Sequence, residues 1–256
     1  MMRWTLISDA DGHPGWWQMA LDQALLDVAE AGDVGFVRLY RWRPFALSFG
    51  RHEPAASRYD RAEIERRGLD VVRRPTGGRA VWHARELTYA VIGPVSELGG
   101  LKESYRQIHR TVARALGRLE VPATLAAAGQ SCHPGAGPCF ATSAGGEVLV
   151  AGRKLVGSAQ LRQGDALLQH GSLLLEDDQR LATDLTLGTQ PSGDGVITLR
   201  EAAGRSVHFE EMADALTAEF VAWGGTWNAA LDSSSCDTLV ARHAARFQDP
   251  NWTWRR

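Results

Sequence analysis

A chain of 256 residues with 44% hydrophobic and 23% charged content is long enough to bury a sizeable core, and it has no run of 18 apolar residues to span a membrane. A net charge of −2 at pH 7 removes the long-range attraction to phosphate that general nucleic-acid and anionic-membrane binders use, so neither partner is expected. Three cysteines do not make a disulfide framework, and the N-terminal stretch turns polar at Ser8-Asp9, too early for a signal peptide, so the cytoplasm is the expected compartment.

Taken in chain order, Trp17, Leu21, Leu25 and Val28 predict a helix over 17–28. Residues 35–42 alternate, with Phe36, Arg38, Tyr40 and Trp42 on one side of a strand, and 46–50 reads as a second, short strand. A helix over 59–67 stops at Gly68. Strands over 70–74 and 80–83 flank a turn at 75–79, and 86–92 is a further strand closed by Gly93-Pro94. The spacing of Tyr105, Ile108, Val112, Leu116 and Leu119 predicts a long helix over 102–119. A loose stretch, 126–138, precedes strands over 147–151, 154–161 and 166–175. Thr198 and Glu201 have the spacing of a capping box, Phe209 to Phe220 is helical, and 237–247 is a terminal helix. Strands in neighbouring groups with helices between them point to α+β, a mixed or antiparallel central sheet flanked by helices. No linker divides the chain, so 1–256 is expected to be a single catalytic domain with a helical C-terminal part over 198–256.

Four segments carry possible chemistry. In Arg73-Arg74-Pro75-Thr76-Gly77-Gly78-Arg79, paired glycines allow a backbone close to a ligand, and the arginines can hold a phosphate or carboxylate; a plain hairpin with solvated arginines fits equally. Neither standard nucleotide-binding glycine pattern occurs. Cys139, in Gly137-Pro138-Cys139-Phe140, is either an accessible nucleophile or a half-buried structural thiol. Cys132 and His133 lie nearby, but no second pair completes a metal site, and none is expected. Of 28 basic residues only Lys102 and Lys154 are lysine, which draws attention to Lys154: it can stabilise a thiolate, polarise a carbonyl or accept a proton, or it is an exposed hairpin lysine. His170 and Ser172 share a strand face without an acid partner or nucleophile elbow, so His170 reads as a hydrogen-bonding residue beside a site. Trp16, Trp17, Trp252 and Trp254 read as packing.

In this order the segments resemble the biotin- and lipoate-protein ligase superfamily, in its lipoyl branch. The resemblance covers about residues 15–190 and is carried by Trp17-Gln18-Met19-Ala20-Leu21-Asp22, Tyr40-Arg41-Trp42 to Ser48-Phe49-Gly50, the Arg73–Gly78 loop, Gly152-Arg153-Lys154-Leu155-Val156-Gly157-Ser158-Ala159-Gln160 and Gln169-His170-Gly171-Ser172. Arg79 stands where that family has a third loop glycine, and Ala84-Arg85 follows His83 where an acidic or small pair is common. Pro138-Cys139-Phe140, fifteen positions before Lys154, resembles the cysteine-dependent octanoyltransferases. The resemblance implies a ligase-like catalytic fold and an octanoyl group moved from acyl carrier protein to a lipoyl-domain lysine, such as that of the glycine cleavage H protein. It implies Cys139 as the thioester-forming nucleophile and Lys154 as the group depressing its pKa. Arg74, Thr76, Gly77, Gly78, His83, Gly157, Ser158, Ala159, His170 and Gly171 are the implied substrate-binding residues, and Arg73, Arg74 and Arg153 are candidates for the acidic carrier's landing surface. No cofactor follows from this scheme. The alternatives are an amidotransferase between lipoyl domains, an ATP- and Mg²⁺-dependent lipoate ligase, and a non-catalytic lipoyl- or biotin-binding module.

Overall fold

The computed structural model describes residues 1–126, 146–176, 179–188 and 195–255. Its first half runs β1 (Arg3–His13), α1 (Gly15–Glu30), β2 (Val34–Trp42), β3 (Ala46–Phe49), α2 (Ala55–Arg58), α3 (Arg61–Arg66), β4 (Asp70–Arg73), β5 (Val81–His83), β6 (Glu86–Pro94), α4 (Val95–Leu98) and α5 (Leu101–Arg118). There follow β7 (Ala123–Leu125), β8 (Val148–Val150), β9 (Arg153–Lys154), β10 (Val156–Gln163), β11 (Ala166–Leu174), α6 (Arg180–Asp184), α7 (Leu199–Ala203), α8 (Phe209–Val221), β12 (Thr226–Asp232), α9 (Asp237–Val240), α10 (Ala244–Gln248) and α11 (Pro250–Thr253).

Six strands form a mixed sheet in the order β10-β11-β6-β2-β1-β12. β1 runs parallel to β2 and β12, and the other pairs are antiparallel. Because side chains alternate across a strand, each strand serves two cores. Val37, Leu39, Leu87, Tyr89 and Val91 pack with Ile108, Val112 and Leu116 of α5 and Met212, Leu216 and Phe220 of α8. Tyr40, Trp42, Ala90 and Ile92 pack on the other face with Trp17, Leu21 and Leu25 of α1 and Val240 and Phe247 near the C-terminus. The α+β sheet flanked by helices is therefore the fold the patterning predicts. Two three-stranded sheets, β4-β3-β5 and β7-β8-β9, stand beside it and carry the two glycine-rich segments.

Three local readings change. β1 joins the sheet although Asp9, Asp11 and Gly12 break its alternation; pairing on both sides, with β2 and β12, supplies what the pattern lacks. The region after 198 is not wholly helical, since β12 adds a parallel strand outside β1. The terminal helix is two short ones, α9 and α10, parted at 241–243. The Thr198 side chain does accept from the Glu201 backbone N–H at 3.2 Å and opens the short α7. Among the described residues no helix is long and apolar enough to cross a membrane.

Candidate active site

The glycine loop is built from below. A Cβ on Gly50, at the end of β3, would stand 1.7 Å from the Gly78 carbonyl oxygen, so only glycine lets the two backbones touch there. Gly78 takes a φ of +95°, which L side chains rarely adopt. Arg74 is buried and brackets the loop: its guanidinium donates to the Ser48 carbonyl at 2.8 Å, the Ser48 hydroxyl at 2.6 Å, the Gly77 carbonyl at 3.1 Å and the Arg79 carbonyl at 2.8 Å. Arg73 is fully buried and donates to six backbone carbonyls, those of Gly50, Arg51, Glu53, Trp252, Thr253 and Arg255. Neither arginine is solvated, and neither is presented to a carrier; both hold backbone in place. Arg153 is half-buried and paired with Glu201.

Beside the loop, between β10, β11, β2 and β5, lies a slot whose exposed lining is almost all apolar. Free space within it amounts to about 20 Å³, and open solvent at its mouth brings the total to about 300 Å³. Arg74, His83, Gly157, Ser158, Ala159, His170 and Gly171 line it together with Tyr40, Trp42 and Ser172. Gly171 keeps the wall thin: a Cβ there would lie 2.4 Å from the Ser158 hydroxyl and 2.7 Å from the Tyr89 ring.

Two buried histidines stand in this wall, each oriented by a carboxylate. The His170 Nδ1–H donates to Asp22 Oδ2 at 2.9 Å, and its Nε2 faces the Thr76 hydroxyl at 2.6 Å. Asp22 is ion-paired with Arg38, whose guanidinium also bonds Gln18. Burial alone would raise the Asp22 carboxyl, but Arg38 and His170 outweigh it and hold it below the usual carboxylate range. His83 Nδ1–H donates to Glu86 Oε1 at 2.6 Å, and Nε2 accepts from the Ser48 hydroxyl at 2.6 Å. Burial lowers the His83 ring below its ordinary value despite the Glu86 charge, and Trp42 stacks on it at 3.9 Å.

Lys154 is buried, not an exposed hairpin lysine, and its ammonium donates to Glu147 Oε1 at 2.6 Å. Nearby, a directed chain of hydrogen bonds runs from Gln160 to Gln169 (2.9 Å), Tyr89 (3.0 Å), Ser158 (2.7 Å) and His109 (2.8 Å), whose Nδ1–H donates to the Gly146 carbonyl at 2.6 Å. That last bond fixes the tautomer, so Nε2 accepts from Ser158. Burial pushes the Tyr89 hydroxyl up to about 12, which keeps it a donor.

The structure thus gathers Arg74, His83, Gly157, Ser158, Ala159, His170 and Gly171 around one slot, with Thr76 against His170 and Gly77 and Gly78 in the adjoining loop. Cys139, with Cys132 and His133, lies outside the described residues. Sequence reasoning missed Asp22, Arg38, Glu86, His109 and Glu147. The signal for the first two was present: Gln18 and Asp22 repeat at i and i+4 on the buried face of α1, and Arg38 sits mid-strand between Phe36 and Tyr40. Charges on apolar faces ask for partners, and these two find each other.

The sequence profile of the lipoyl protein ligase A/B catalytic domain matches residues 14–221. Octanoyltransferase LipM of Kyrpidia tusciae is 34% identical over 281 aligned residues that cover 100% of both chains. Octanoyltransferase LipM of Symbiobacterium thermophilum is 35% identical over 99% of this chain and 98% of its own. Among solved structures, lipoate-protein ligase A bound with ATP superposes with a TM-score of 0.80 at 19% identity, over 99% of this chain and 98% of that one. The bi-partite lipoate protein ligase of Thermoplasma acidophilum superposes with a TM-score of 0.79 at 17% identity, over 99% and 97%. The family model covers most of the chain and the relatives align along their whole length, and the chain belongs to the family of lipoyl protein ligase A/B catalytic domains.

Proposed function

We propose that this chain is an octanoyltransferase of protein lipoylation. It takes an octanoyl group from acyl carrier protein onto Cys139 as a thioester and passes it to a lysine of a lipoyl domain, such as that of the glycine cleavage H protein. The observation that carries the reading is the similarity to octanoyltransferase LipM along the whole chain. The apolar lining of the slot supports it; burial of an eight-carbon chain at about 0.8 kcal/mol per CH₂ would contribute on the order of 5 kcal/mol of binding. Arg74, Thr76, Gly77, Gly78, His83, Gly157, Ser158, Ala159, His170 and Gly171 are the proposed substrate-binding residues. Lys154 is the proposed partner of the thiolate. Glu147 accepts a hydrogen bond from its ammonium at 2.6 Å.

Two acyl transfers replace one direct transfer, and each is easier than the whole. Donor and intermediate are both thioesters, so the proposed reaction uses neither nucleotide nor metal. It is assigned to one catalytic unit over 1–256 acting in the cytoplasm. The test is intact-mass spectrometry after mixing with octanoyl-acyl carrier protein, with and without ATP. A covalent octanoyl adduct that needs no ATP and disappears in Cys139→Ala is the expected result. Acyl transfer that survives Cys139→Ala, or that requires ATP and Mg²⁺, refutes it in favour of a ligase.

A further inference from the structure

The chain carries a net charge of −2, so an acidic protein gains nothing from its overall field and needs a local basic face on which to dock. The arginines of the motifs do not make one: Arg73 and Arg74 are buried, and Arg153 is paired with Glu201. Three other arginines do. Arg51 follows β3, Arg246 lies in α10 and Arg255 follows α11. The last two fall outside residues 14–221, the part that the family profile matches.

Trp252 joins them. Its ring carries two guanidiniums, those of Arg246 and Arg255, each 3.8 Å from the centroid. Arg255 also donates to the Arg51 carbonyl at 2.7 Å. Burial, and then the charges of Arg51 and Arg255, lower the Arg246 guanidinium below its ordinary value, so the three cations are near enough to repel one another. The carboxylates of this region have other partners. Glu53 accepts from Tyr59 at 2.6 Å and Arg58 at 3.2 Å, and Asp27 accepts from His243 at 2.7 Å and Gln163 at 2.9 Å. Asp249 caps α11 through the Asn251 N–H at 2.8 Å. Among the described residues, no carboxylate stands within ion-pair distance of Arg51 or Arg246. The three arginines and Trp252 are half-buried, not enclosed.

We infer that Arg51, Arg246 and Arg255, set around Trp252, form the docking surface for the acidic acyl carrier protein of the proposed transfer; the inference rests on the transferase reading above. Position favours the donor over the acceptor. The Arg51 N–H donates to the Thr76 carbonyl at 2.7 Å and the Trp252 indole to the Arg73 carbonyl at 3.1 Å. The surface therefore backs the glycine loop and is no part of the slot lining. A carrier protein presents its acyl group on a long prosthetic arm, and so reaches the slot from a body docked to one side. A lipoyl-domain lysine has only its own side chain to reach with, and brings its domain to the slot itself. The carrier's arm also bears a phosphodiester, a group that guanidinium forks bind through paired hydrogen bonds.

Adduct formation and binding are measured on the full chain. Arg51→Glu is expected to raise about tenfold the octanoyl-acyl carrier protein concentration that half-saturates adduct formation, with the maximal rate within about twofold of wild type. Loading from octanoyl-N-acetylcysteamine, an uncharged thioester, is expected to match the wild type. By fluorescence anisotropy, labelled acyl carrier protein without its acyl group should bind that variant about tenfold more weakly, with a shallower dependence on salt between about 50 and 300 mM. Arg246→Gln, a second and milder variant, should weaken carrier binding about threefold. Unchanged carrier binding in both variants, equal losses with both donors, or a loss confined to binding of an apo lipoyl domain overturns the inference. Carrier binding that Arg51→Glu weakens, from a wild type that forms no octanoyl adduct, keeps the surface and overturns the transferase reading.

Discussion

Burial pushes the His109 ring down to about 4, with the Gly146 bond acting against the shift and the Lys154 charge adding to it. An unfolded histidine titrates near 6.5, so between pH 6.5 and 4 the unfolded chain binds a proton that the folded chain refuses. Stability therefore falls as pH drops through that window, and below it about 3 kcal/mol is lost to this one residue. His109→Gln is expected to flatten the slope: its urea-unfolding free energy should fall by about 2–3 kcal/mol less than that of the wild type between pH 7 and pH 4.5. Identical slopes would show that the ring does not stay neutral when folded. His109 was illegible in the sequence because a histidine one position from Ile108 on an amphipathic helix looks like any other. Only the approach of Ser158 on one side and Gly146 on the other gives its two nitrogens distinct partners. Glu147 was hidden for a similar reason, since its partner Lys154 is seven residues away across a hairpin.

At the scale of elements, β11 shows how backbone choice shapes the slot. Its residues are all buried, and Gly171 lies where Tyr89 on β6 and Ser158 on β10 both reach across. Gly171→Ala is expected to destabilise the protein by about 1–3 kcal/mol, because the added methyl overpacks a wall with no room to yield. It should also cut octanoyl-adduct formation more than it lowers Tm relative to other buried Gly→Ala changes. A chemical-denaturation curve and an adduct time course on the same sample check both parts, and an alanine accommodated without loss in either would place the slot elsewhere. The long helices and central strands were legible, since α1, α5 and α8 show 3.6-residue apolar spacing and β2 is a short run rich in apolar and aromatic residues. β1 and β12 were not, because a strand that owes its place to neighbours on its edges need not carry a pattern of its own.

At the scale of the molecule, Arg73 joins parts of the chain that are remote in sequence. One guanidinium satisfies carbonyls at 50–53 beneath the glycine loop and at 252–255 in the tail, and burial with the Arg255 charge lowers it to about 10. The Trp252 indole returns a hydrogen bond to the Arg73 carbonyl at 3.1 Å. Arg73→Met would leave several of these acceptors without a donor, each worth about 1–3 kcal/mol when buried. A loss of about 3 kcal/mol corresponds to a Tm drop of roughly 6–12 °C for a chain of this size. The tail should also become accessible to limited proteolysis. A Tm change under about 2 °C would mean that the clamp contributes little.

The sequence by itself determined the α+β class, the main helices and strands, and the set of segments that belong to one site. Periodicity follows from which face of an element is buried, and the glycine and lysine segments are local features. It also carried the family, because the motifs occur in a fixed order along most of the chain. What only the tertiary structure decided were partners: that Arg73 is spent on backbone carbonyls, that Arg74 brackets the glycine loop while lining the slot, that Lys154 is matched by Glu147, and that His170 is aimed by Asp22. A side chain's role depends on what lies within about 3 Å of its polar atoms, and those neighbours come from elements that only the fold brings together.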